Sequence, residues 1–452
     1  MNPRAKRTSA LALALTLAGC GASGAVAPTP GARTQTARRW AMPTGSPIQH
    51  VVFIVQENRS FNNLFMGYPN ALTQNHGYDK RGKKIRLKPQ DLSSAWDMNH
   101  DSHAFFTECD GSPKLPGTRC KMDGWSKEVP VGAPKNYPYA YVPRRQIEPY
   151  WSMAEQYVLA DETFASNLDS SFIAHQYVVA GYADRAVDYP TTSWGCEGGP
   201  SDTIVTLTKR RSEGHRIAAC FDIPSIATEA DSAGLTWRFY AGAVSGDGGI
   251  WSSYQAESQV FDGPDWAVDV INPPSQFLSD IAAGSLANIT WITPTYKTSD
   301  HPGFDASQGP AWVASLVNAI GKSSFWNSTA IFIMWDDWGG WFDPVKPVYE
   351  DYDGLGFRVP LLMISPYARK DYVTHIQYET SSVLRYIEDN FNLPQLAASD
   401  ARANDPASDA FDYAQAPRRF KKIRGGKPLS YWRRLDRTAN PREALKHIVG
   451  DD

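Results

Sequence analysis

Residues 49–65 read QHVVFIVQENRSFNNLF, an apolar run followed at once by polar side chains. The run at 50–55 shows no polar alternation, which is typical of a strand buried on both faces of a parallel sheet. Ser60 is a suitable N-cap for a helix that begins directly after it. Ligands bind beyond the carboxyl ends of strands in open α/β sheets, so Glu57 and Asn58 are expected at a functional edge. Their oxygens suit a divalent cation.

A second strand end repeats this arrangement in residues 329–343, TAIFIMWDDWGGWFD. An apolar strand leads into the adjacent carboxylates of Asp336 and Asp337, which repel each other unless a cation or a proton lies between them. Gly339 and Gly340 then allow the backbone to come close to a ligand. The two polar strand ends together are predicted to hold a metal ion.

A third stretch, residues 164–181, reads FASNLDSSFIAHQYVVAG. Ser171 precedes His175 by four residues, and a helix places side chains at this spacing on one face. Along the rest of the chain, short apolar strands alternate with helical patterns, which predicts an α/β fold with a mainly parallel sheet. Residues 67–135 and 186–224 show few regular patterns, so we expect long loop insertions there.

Several segments stand in a characteristic order between about residue 48 and about residue 412. They are E-N-R-S-F at 57–61, K-M-D-G at 121–124, S-F-I-A-H at 171–175, D-H-P at 300–302, W-D-D-W-G-G at 335–340, R-V-P at 358–360 and I-S-P-Y at 364–367. In this order they resemble the bacterial phosphoesterase family that holds phosphatidylcholine-type phospholipases C and an acid phosphatase branch. The resemblance implies an alkaline-phosphatase-like α/β fold, with helices flanking the sheet, and hydrolysis of phosphate esters.

The resemblance also assigns roles to individual residues. The predicted metal ligands are Glu57, Asn58, Asp336 and Asp337. The predicted catalytic residues are Ser171, His301, His100, His375 and Asp300. In these roles Ser171 attacks phosphorus and forms a phosphoserine, and His301 protonates the leaving group. One or more divalent metal ions are expected as cofactor, and magnesium, calcium, manganese and zinc all suit the donors.

Several assignments have competitors. His103 competes with His100, and His175 is expected to pack behind Ser171 without a catalytic role. The sequence departs from the family pattern at Asn62, at Pro344 and at the pair Asp169-Ser170, which replaces Gly-Pro. The last departure makes Ser170 a competing nucleophile. The change at Pro344 puts substrate specificity in doubt rather than the reaction.

The leading prediction is a metal-dependent phosphoesterase that acts on a phosphate monoester or a phospholipid, as an acid phosphatase or a phospholipase C. Ser171 favours the acid phosphatase branch, because the phospholipase branch often has threonine there. A catalytically silent envelope binding protein on the same fold is the alternative. The sulfatase motif C-x-P-x-R is absent, which argues against a sulfatase. A net charge of -3 gives no general attraction to nucleic acid, and none is expected as a partner.

Residues 1–20 resemble a bacterial lipoprotein signal, with a basic start, an apolar run too short to span a bilayer, and L-A-G-C ending at Cys20. Cys20 would then carry lipid and attach the chain to the membrane, at the periplasmic or extracellular face of the cell envelope. A plain secretory signal is the alternative. Residues 21–45 are expected to form a flexible tether, 46–416 the catalytic domain, and 417–452 a basic tail packed on that domain.

Four cysteines follow Cys20, and four cysteines allow three disulfide pairings. Pairing of sequence neighbours favours Cys109 with Cys120 and Cys196 with Cys220, in agreement with export. A zinc site is the competing interpretation, although no C-x-x-C spacing supports it.

Overall fold

The apolar run that precedes Glu57 lies at the centre of an eight-stranded sheet. The computed structural model describes residues 46–111, 119–246, 248–303 and 307–437. In chain order the strands of the sheet are β1 His50–Gln56, β2 Val158–Ala160, β3 Trp237–Tyr240, β4 Val270–Ile271, β5 Ile289–Ile292, β6 Thr329–Trp335, β7 Leu361–Ile364 and β8 Tyr372–Thr374. Their spatial order is β4-β3-β5-β1-β6-β7-β2-β8.

The sheet is mainly parallel, as predicted. Strand β1 runs parallel to β5 on one side and to β6 on the other. Strands β3 and β4, β3 and β5, and β2 and β8 also pair in parallel, whereas β7 is antiparallel to both of its neighbours. The carboxyl ends of β1, β5 and β6 therefore meet at one edge, where α/β sheets bind ligands.

Helices flank this sheet, and the α/β prediction is confirmed. The α-helices of the described residues are α1 Phe61–Phe65, α2 Ser102–Cys109, α3 Glu148–Ala154, α4 Ser171–Val179, α5 Ile226–Ala233, α6 Ser258–Phe261, α7 Trp266–Asp269, α8 Gln276–Ala282, α9 Gly309–Gly321, α10 Ser381–Phe391, α11 Ala398–Arg402 and α12 Leu429–Arg437. Helix α9 connects β5 to β6, which lie on opposite sides of β1, so it is a crossover of the kind that parallel strands require. No described helix has the length and apolarity that crossing a membrane demands.

Short elements that the sequence patterns do not predict occur in the long insertions and between the main strands. The small strands pair as His76–Tyr78 with Lys84–Arg86, Lys88–Pro89 with Ala140–Tyr141, Thr163–Phe164 with Tyr378–Glu379, and Thr203–Leu207 with both Ala186–Val187 and Glu213–Ala218. Two disulfides close insertion loops, Cys109–Cys120 and Cys196–Cys220. The pairing of sequence neighbours is thus confirmed, and the zinc interpretation of these cysteines is not supported.

The described part of the basic tail packs on α9. The indole of Trp432 is buried and lies edge-on to Trp312, with 5.0 Å between ring centroids. The Asn318 side chain accepts a hydrogen bond from the Ile423 backbone N–H and donates one to its carbonyl oxygen, both at 2.9 Å. The predicted signal segment with Cys20, the predicted tether at 21–45 and the end of the tail at 438–452 lie outside the described residues.

Candidate active site

The two polar strand ends predicted to cooperate lie side by side. Gln56 pairs with Trp335 at the last position of β1 and β6, so Glu57 and Asp336 follow at the same edge. The backbone N–H of Asp336 donates to the Gln56 carbonyl oxygen at 3.0 Å. The backbone N–H of Asn58 donates to Oδ1 of Asp336 at 2.9 Å. The parallel register of two strands therefore builds this edge.

One group of side chains at this edge has the geometry of a metal site. Glu57, His175 and Asp336 are buried, and one ligand atom from each lies within 4.8 Å of the others. Nε2 of His175 lies 3.2 Å from Oε1 of Glu57 and 3.7 Å from Oδ2 of Asp336. Burial lowers the pKa of His175 to about 4, so the imidazole is neutral at neutral pH and able to coordinate. Two carboxylates and an imidazole fit a divalent cation.

His175 is the site residue whose place the sequence analysis missed. It was expected to pack behind Ser171, but its imidazole joins two of the predicted metal ligands. The sequence feature that points to this contact is the position of His175 four residues after Ser171, on the same face of α4. That spacing indicates a shared face, but it does not reveal which strand end the face contacts.

A second group surrounds the predicted nucleophile. Ser171 is the first residue of α4, and its Oγ lies 3.2 Å from Oδ1 of Asn58 and 3.4 Å from Oδ2 of Asp337. Nε2 of His100 lies 2.8 Å from Nδ2 of Asn58 and 3.7 Å from Oδ2 of Asp337. Because the Asn58 amide donates, Nε2 of His100 accepts, and Nδ1 donates to the Met98 carbonyl oxygen at 2.6 Å.

The adjacent carboxylates of Asp336 and Asp337 repel each other unless a cation or a proton lies between them. Burial raises the pKa of Asp337 well above its ordinary value, and the neighbouring charge of Asp336 raises it further. A hydrogen bond of 2.7 Å from the Gly339 backbone N–H to Oδ1 of Asp337 acts in the opposite direction. A divalent cation would satisfy both carboxylates where a single proton satisfies one.

The two glycines after these carboxylates allow close contact between backbone segments of the protein. Gly339 has φ +59°, and a Cβ there would lie 2.2 Å from the Asn58 carbonyl oxygen. Gly340 has φ +69°, and its Cβ would lie 2.6 Å from Cβ of Met98. The turn after β6 therefore packs closely on the turn after β1 and on the segment that carries His100.

His301 lies next to His100 in the same region. The two rings have centroids 6.3 Å apart, and Trp251 covers His301 at 5.7 Å. Nδ1 of His301 lies 2.5 Å from the Pro302 carbonyl oxygen and donates to it. Nε2 lies 3.8 Å from Oδ2 of Asp97. The segment after β5 thus brings a second histidine toward the catalytic edge.

A protein-family model matches the sequence that builds this site. The model, described as the Phosphoesterase family, matches residues 48–394. This chain belongs to the phosphoesterase family. It is similar to phospholipase C B of Mycobacterium tuberculosis, with 24% identity over 433 residues that cover 82% of this chain and 78% of the relative. It is also similar to the non-hemolytic phospholipase C of Burkholderia pseudomallei, with 24% identity over 395 residues that cover 76% and 55%.

Among solved structures, the phosphoesterase is similar to a protein in the alkaline phosphatase superfamily from Vibrio parahaemolyticus. The identity is 10%, the TM-score is 0.37, and the match covers 77% of this chain and 67% of the other. The family assignment identifies the protein as a phosphoric ester hydrolase. It supports the enzyme prediction over a catalytically silent binding protein.

Asp300 lies behind the site of this phosphoesterase. Its Oδ2 accepts hydrogen bonds from the Tyr150 hydroxyl at 2.8 Å and from Nε1 of Trp335 at 3.1 Å. Burial raises the pKa of Asp300 to about 6, although these bonds and the charge of Arg59 oppose the shift. The Asp300 carboxylate therefore holds Trp335, the residue directly before Asp336 and Asp337. Its described contacts do not include His301.

His375 and the competitors Ser170 and His103 have hydrogen-bond or ion-pair partners outside the cluster. The His375 side chain is 55% exposed, and its Nδ1 lies 2.9 Å from Oδ1 of Asp161. The Ser170 hydroxyl donates to Oδ1 of Asp169 at 3.3 Å. His103 is 62% exposed and lies beside Glu213. Among the described residues, no hydrogen bond or ion pair joins any of these three to Ser171 or to the carboxylates of the two strand ends, which are Glu57, Asp336 and Asp337.

Two other family segments support the site from outside. Lys121 of K-M-D-G is exposed and pairs with Asp110 at 3.2 Å, whereas Gly124 is so close to α2 that a Cβ would lie 1.7 Å from the Thr107 carbonyl oxygen. Arg358 of R-V-P is buried and donates to both carboxylate oxygens of Asp343, at 2.8 and 3.0 Å. These segments fix the loops around the site.

Proposed function

We propose that this phosphoesterase hydrolyses phospholipids at the phosphate ester, as a metal-dependent phospholipase C with a phosphoserine intermediate. The observation that carries the proposal is the position of Oγ of Ser171, within 3.4 Å of both Asn58 and Asp337. The relatives named phospholipase C support the substrate class.

The proposed metal site combines the two groups at the strand ends. Its donors would be Glu57, Asn58, His175, Asp336 and Asp337. A bound divalent ion supplies positive charge that offsets the charge of the phosphate. The carboxylates suit magnesium, calcium or manganese, and the imidazole of His175 also admits zinc.

The first step of the proposed reaction uses the Ser171 hydroxyl as nucleophile. Its oxygen forms a bond to phosphorus while the bond from phosphorus to the leaving alkoxide breaks. The hydroxyl proton passes to Oδ2 of Asp337, which lies 3.4 Å from Oγ. His100 accepts a hydrogen bond from the Asn58 amide and so holds Oδ1 of Asn58 toward the serine.

His301 is the proposed general acid for the leaving oxygen. Because Nδ1 donates to the Pro302 carbonyl, the second proton of the imidazolium resides on Nε2. The Asp97 carboxylate, 3.8 Å from Nε2, stabilises that charged form. After the alcohol leaves, neutral His301 accepts a proton from the attacking water as its oxygen bonds to phosphorus. The bond from phosphorus to Oγ then breaks, which releases phosphate or the phosphorylated headgroup, and the proton returns from Asp337 to Ser171.

The test of the mechanism is Ser171→Ala, with Ser170→Ala as its matched control. Ser171→Ala is expected to lower kcat by more than about a thousandfold while the bound metal is retained. Intact mass after an acid quench should show one added phosphoryl group, with its headgroup when the substrate is a phospholipid, on the wild type and on Ser170→Ala, but not on Ser171→Ala. Near-normal turnover in Ser171→Ala, with loss in Ser170→Ala, would move the nucleophile by one residue.

Acid phosphatase activity is the second candidate, because serine rather than threonine stands at position 171. Hydrolysis of p-nitrophenyl phosphorylcholine compared with p-nitrophenyl phosphate distinguishes the two activities. Preference for the phosphorylcholine ester supports the phospholipase, and preference for the monoester supports the phosphatase. Loss of both activities with a chelator, and recovery with added metal, tests the metal dependence.

We further propose that the protein is exported and attached to the cell envelope through lipid on Cys20. The two disulfides support an oxidising compartment. Labelling with a radioactive fatty acid should mark the wild type and leave Cys20→Ser unlabelled. Equal labelling of both would exclude this anchor.

A further inference from the structure

A second group of metal-ligating side chains lies outside the catalytic cluster. Asp101 precedes α2, His103 lies in its first turn, and Asp188 follows the short strand Ala186–Val187. One ligand atom from each of the three lies within 4.8 Å of the others. Oε1 of Glu213 lies 3.5 Å from Nε2 of His103 and adds a fourth donor. Two separate insertions therefore contribute to one site.

The two aspartates are held in place by hydrogen bonds of their own. Oδ1 of Asp101 accepts from the Ala104 backbone N–H at 2.7 Å, as the N-cap of α2. Oδ1 of Asp188 accepts from the Ser102 hydroxyl at 2.9 Å. Each bond orients a carboxylate through one of its two oxygens. Ligands oriented in this way lose little conformational freedom when a metal binds.

The charges of the group also favour a cation. The half-buried Asp188 carboxylate shares this group with the Asp101 carboxylate, and the Glu213 carboxylate lies beside the same imidazole. Oδ2 of the buried Asp169 side chain accepts a hydrogen bond from the Asp188 backbone N–H at 2.7 Å and holds that segment in place. A divalent ion between these carboxylates would relieve their mutual repulsion.

We propose that Asp101, His103 and Asp188, with Glu213, bind a zinc ion distinct from the catalytic metal. Carboxylate oxygens with one imidazole nitrogen suit zinc, and three or four protein ligands match its usual coordination. This assigns separate sites to the two histidines that competed for one role, because His100 lies in the catalytic cluster and His103 in this one.

The zinc ion would connect the two walls of the active site. Asp101 directly follows His100. On the other side, Asp169 holds the backbone N–H of Asp188 through Oδ2 and that of Ser170 through Oδ1, at 2.7 and 2.8 Å. Bound zinc would therefore stabilise the segments on which the proposed function depends, without contact to the substrate.

The test is the number of zinc ions bound at a fixed free zinc concentration. After gel filtration, elemental analysis should find one equivalent fewer in His103→Gln and in Asp188→Asn than in the wild type. His103 is exposed, and asparagine at 188 keeps the acceptor for Ser102, so both variants should fold, which circular dichroism checks. His76→Gln, which changes another histidine of an insertion, should keep the wild-type number.

A second readout separates this site from adventitious binding. Zinc should raise the thermal midpoint of Ser171→Ala as it does that of the wild type, and should raise that of His103→Gln by less. Equal zinc content in His103→Gln and the wild type, or an equal loss in His76→Gln, would overturn the proposal. Ser171→Ala retains the zinc site whether or not the proposed reaction is correct, so the two failures are distinguishable.

Discussion

At the residue scale, the site depends on how a few buried polar groups are paired. Glu57 and Asp336 are fully buried next to a neutral imidazole, and Asn58 bridges from His100 to Ser171. A buried carboxylate without a compensating partner is costly, so these groups stabilise one another and would be stabilised further by the proposed cation. Changes to one member should therefore alter metal binding before they alter the fold.

His175→Gln is expected to weaken metal binding by about 10- to 100-fold, because the variant removes the imidazole that lies between two carboxylates. The measurement is the metal Kd, obtained by competition with a chelator. The control is His50→Gln, another largely buried histidine, located at the opposite end of β1. An unchanged Kd in His175→Gln would exclude the imidazole from the metal site.

Asp300 should make stability depend on pH in a defined window. Its pKa is raised from 3.8 to about 6 in the folded protein, so the fold favours the protonated form. This contribution to stability is complete below about pH 4 and is lost as the pH rises through about 6. Asp300→Asn cannot ionise, yet it keeps an acceptor for Tyr150 and Trp335.

The difference in unfolding free energy between the wild type and Asp300→Asn should therefore change across this window. Two pKa units correspond to about 3 kcal/mol, with the wild type losing stability relative to the variant as the pH rises. Denaturant titrations at several pH values measure the difference. Parallel curves for the two proteins would contradict the raised pKa.

At the scale of elements, the catalytic edge is formed by two turns in contact. The turn after β1 carries Asn58 in a left-handed conformation, with φ 57°, and the turn after β6 carries Gly339. The backbone N–H of Arg59 donates to the Asp337 carbonyl oxygen at 3.1 Å and connects the two turns. The positions of the predicted metal donors therefore depend on this contact between the two turns.

Gly339→Ala should disrupt the contact, because its Cβ would lie 2.2 Å from the Asn58 carbonyl oxygen. The variant is expected to lose more than about 2 kcal/mol of unfolding free energy and to bind metal more weakly. Gly284→Ala is the matched control, since Gly284 has φ +79° but open space around it. The control should cost about 1 kcal/mol and keep the metal Kd. Equal effects in both variants would assign the loss to backbone strain alone.

At the scale of the whole molecule, the basic tail contributes to the fold. Trp432 is buried against Trp312, and the Lys427 backbone N–H donates to the Ser315 hydroxyl at 2.8 Å. The described residues of the tail thereby cover α9, the crossover between β5 and β6. The basic side chains of the tail lie mostly at the surface, while its aromatic and backbone groups make the contacts.

Trp432→Ala should therefore destabilise the whole domain, by about 3–5 kcal/mol. Arg433→Ala, an exposed position on the same helix, should change stability by less than about 0.5 kcal/mol. Chemical denaturation of the two variants and the wild type provides the comparison. If Trp432→Ala unfolds at the wild-type midpoint, the tail is an accessory segment and not part of the core.

Much of this architecture follows from local sequence. The apolar runs of β1 and β6, the polar residues that end them and the four-residue spacing of Ser171 and His175 each depend on neighbouring residues, so pattern and periodicity predict them. The cysteine pairs are also neighbours in sequence, and the ordered motifs indicated the family. These features require no knowledge of which strands become adjacent.

The tertiary structure alone decided which side chains meet. Four histidines are candidates in sequence: His100, His103, His301 and His375. Loop paths bring two of them to the catalytic edge, one to a second carboxylate group and one to Asp161. Asp300 adjoins His301 in sequence but faces Tyr150 and Trp335 instead. The physical reason is that these contacts depend on the pairing of β1 with β5 and β6 and on the packing of long insertions, which join residues far apart in the chain.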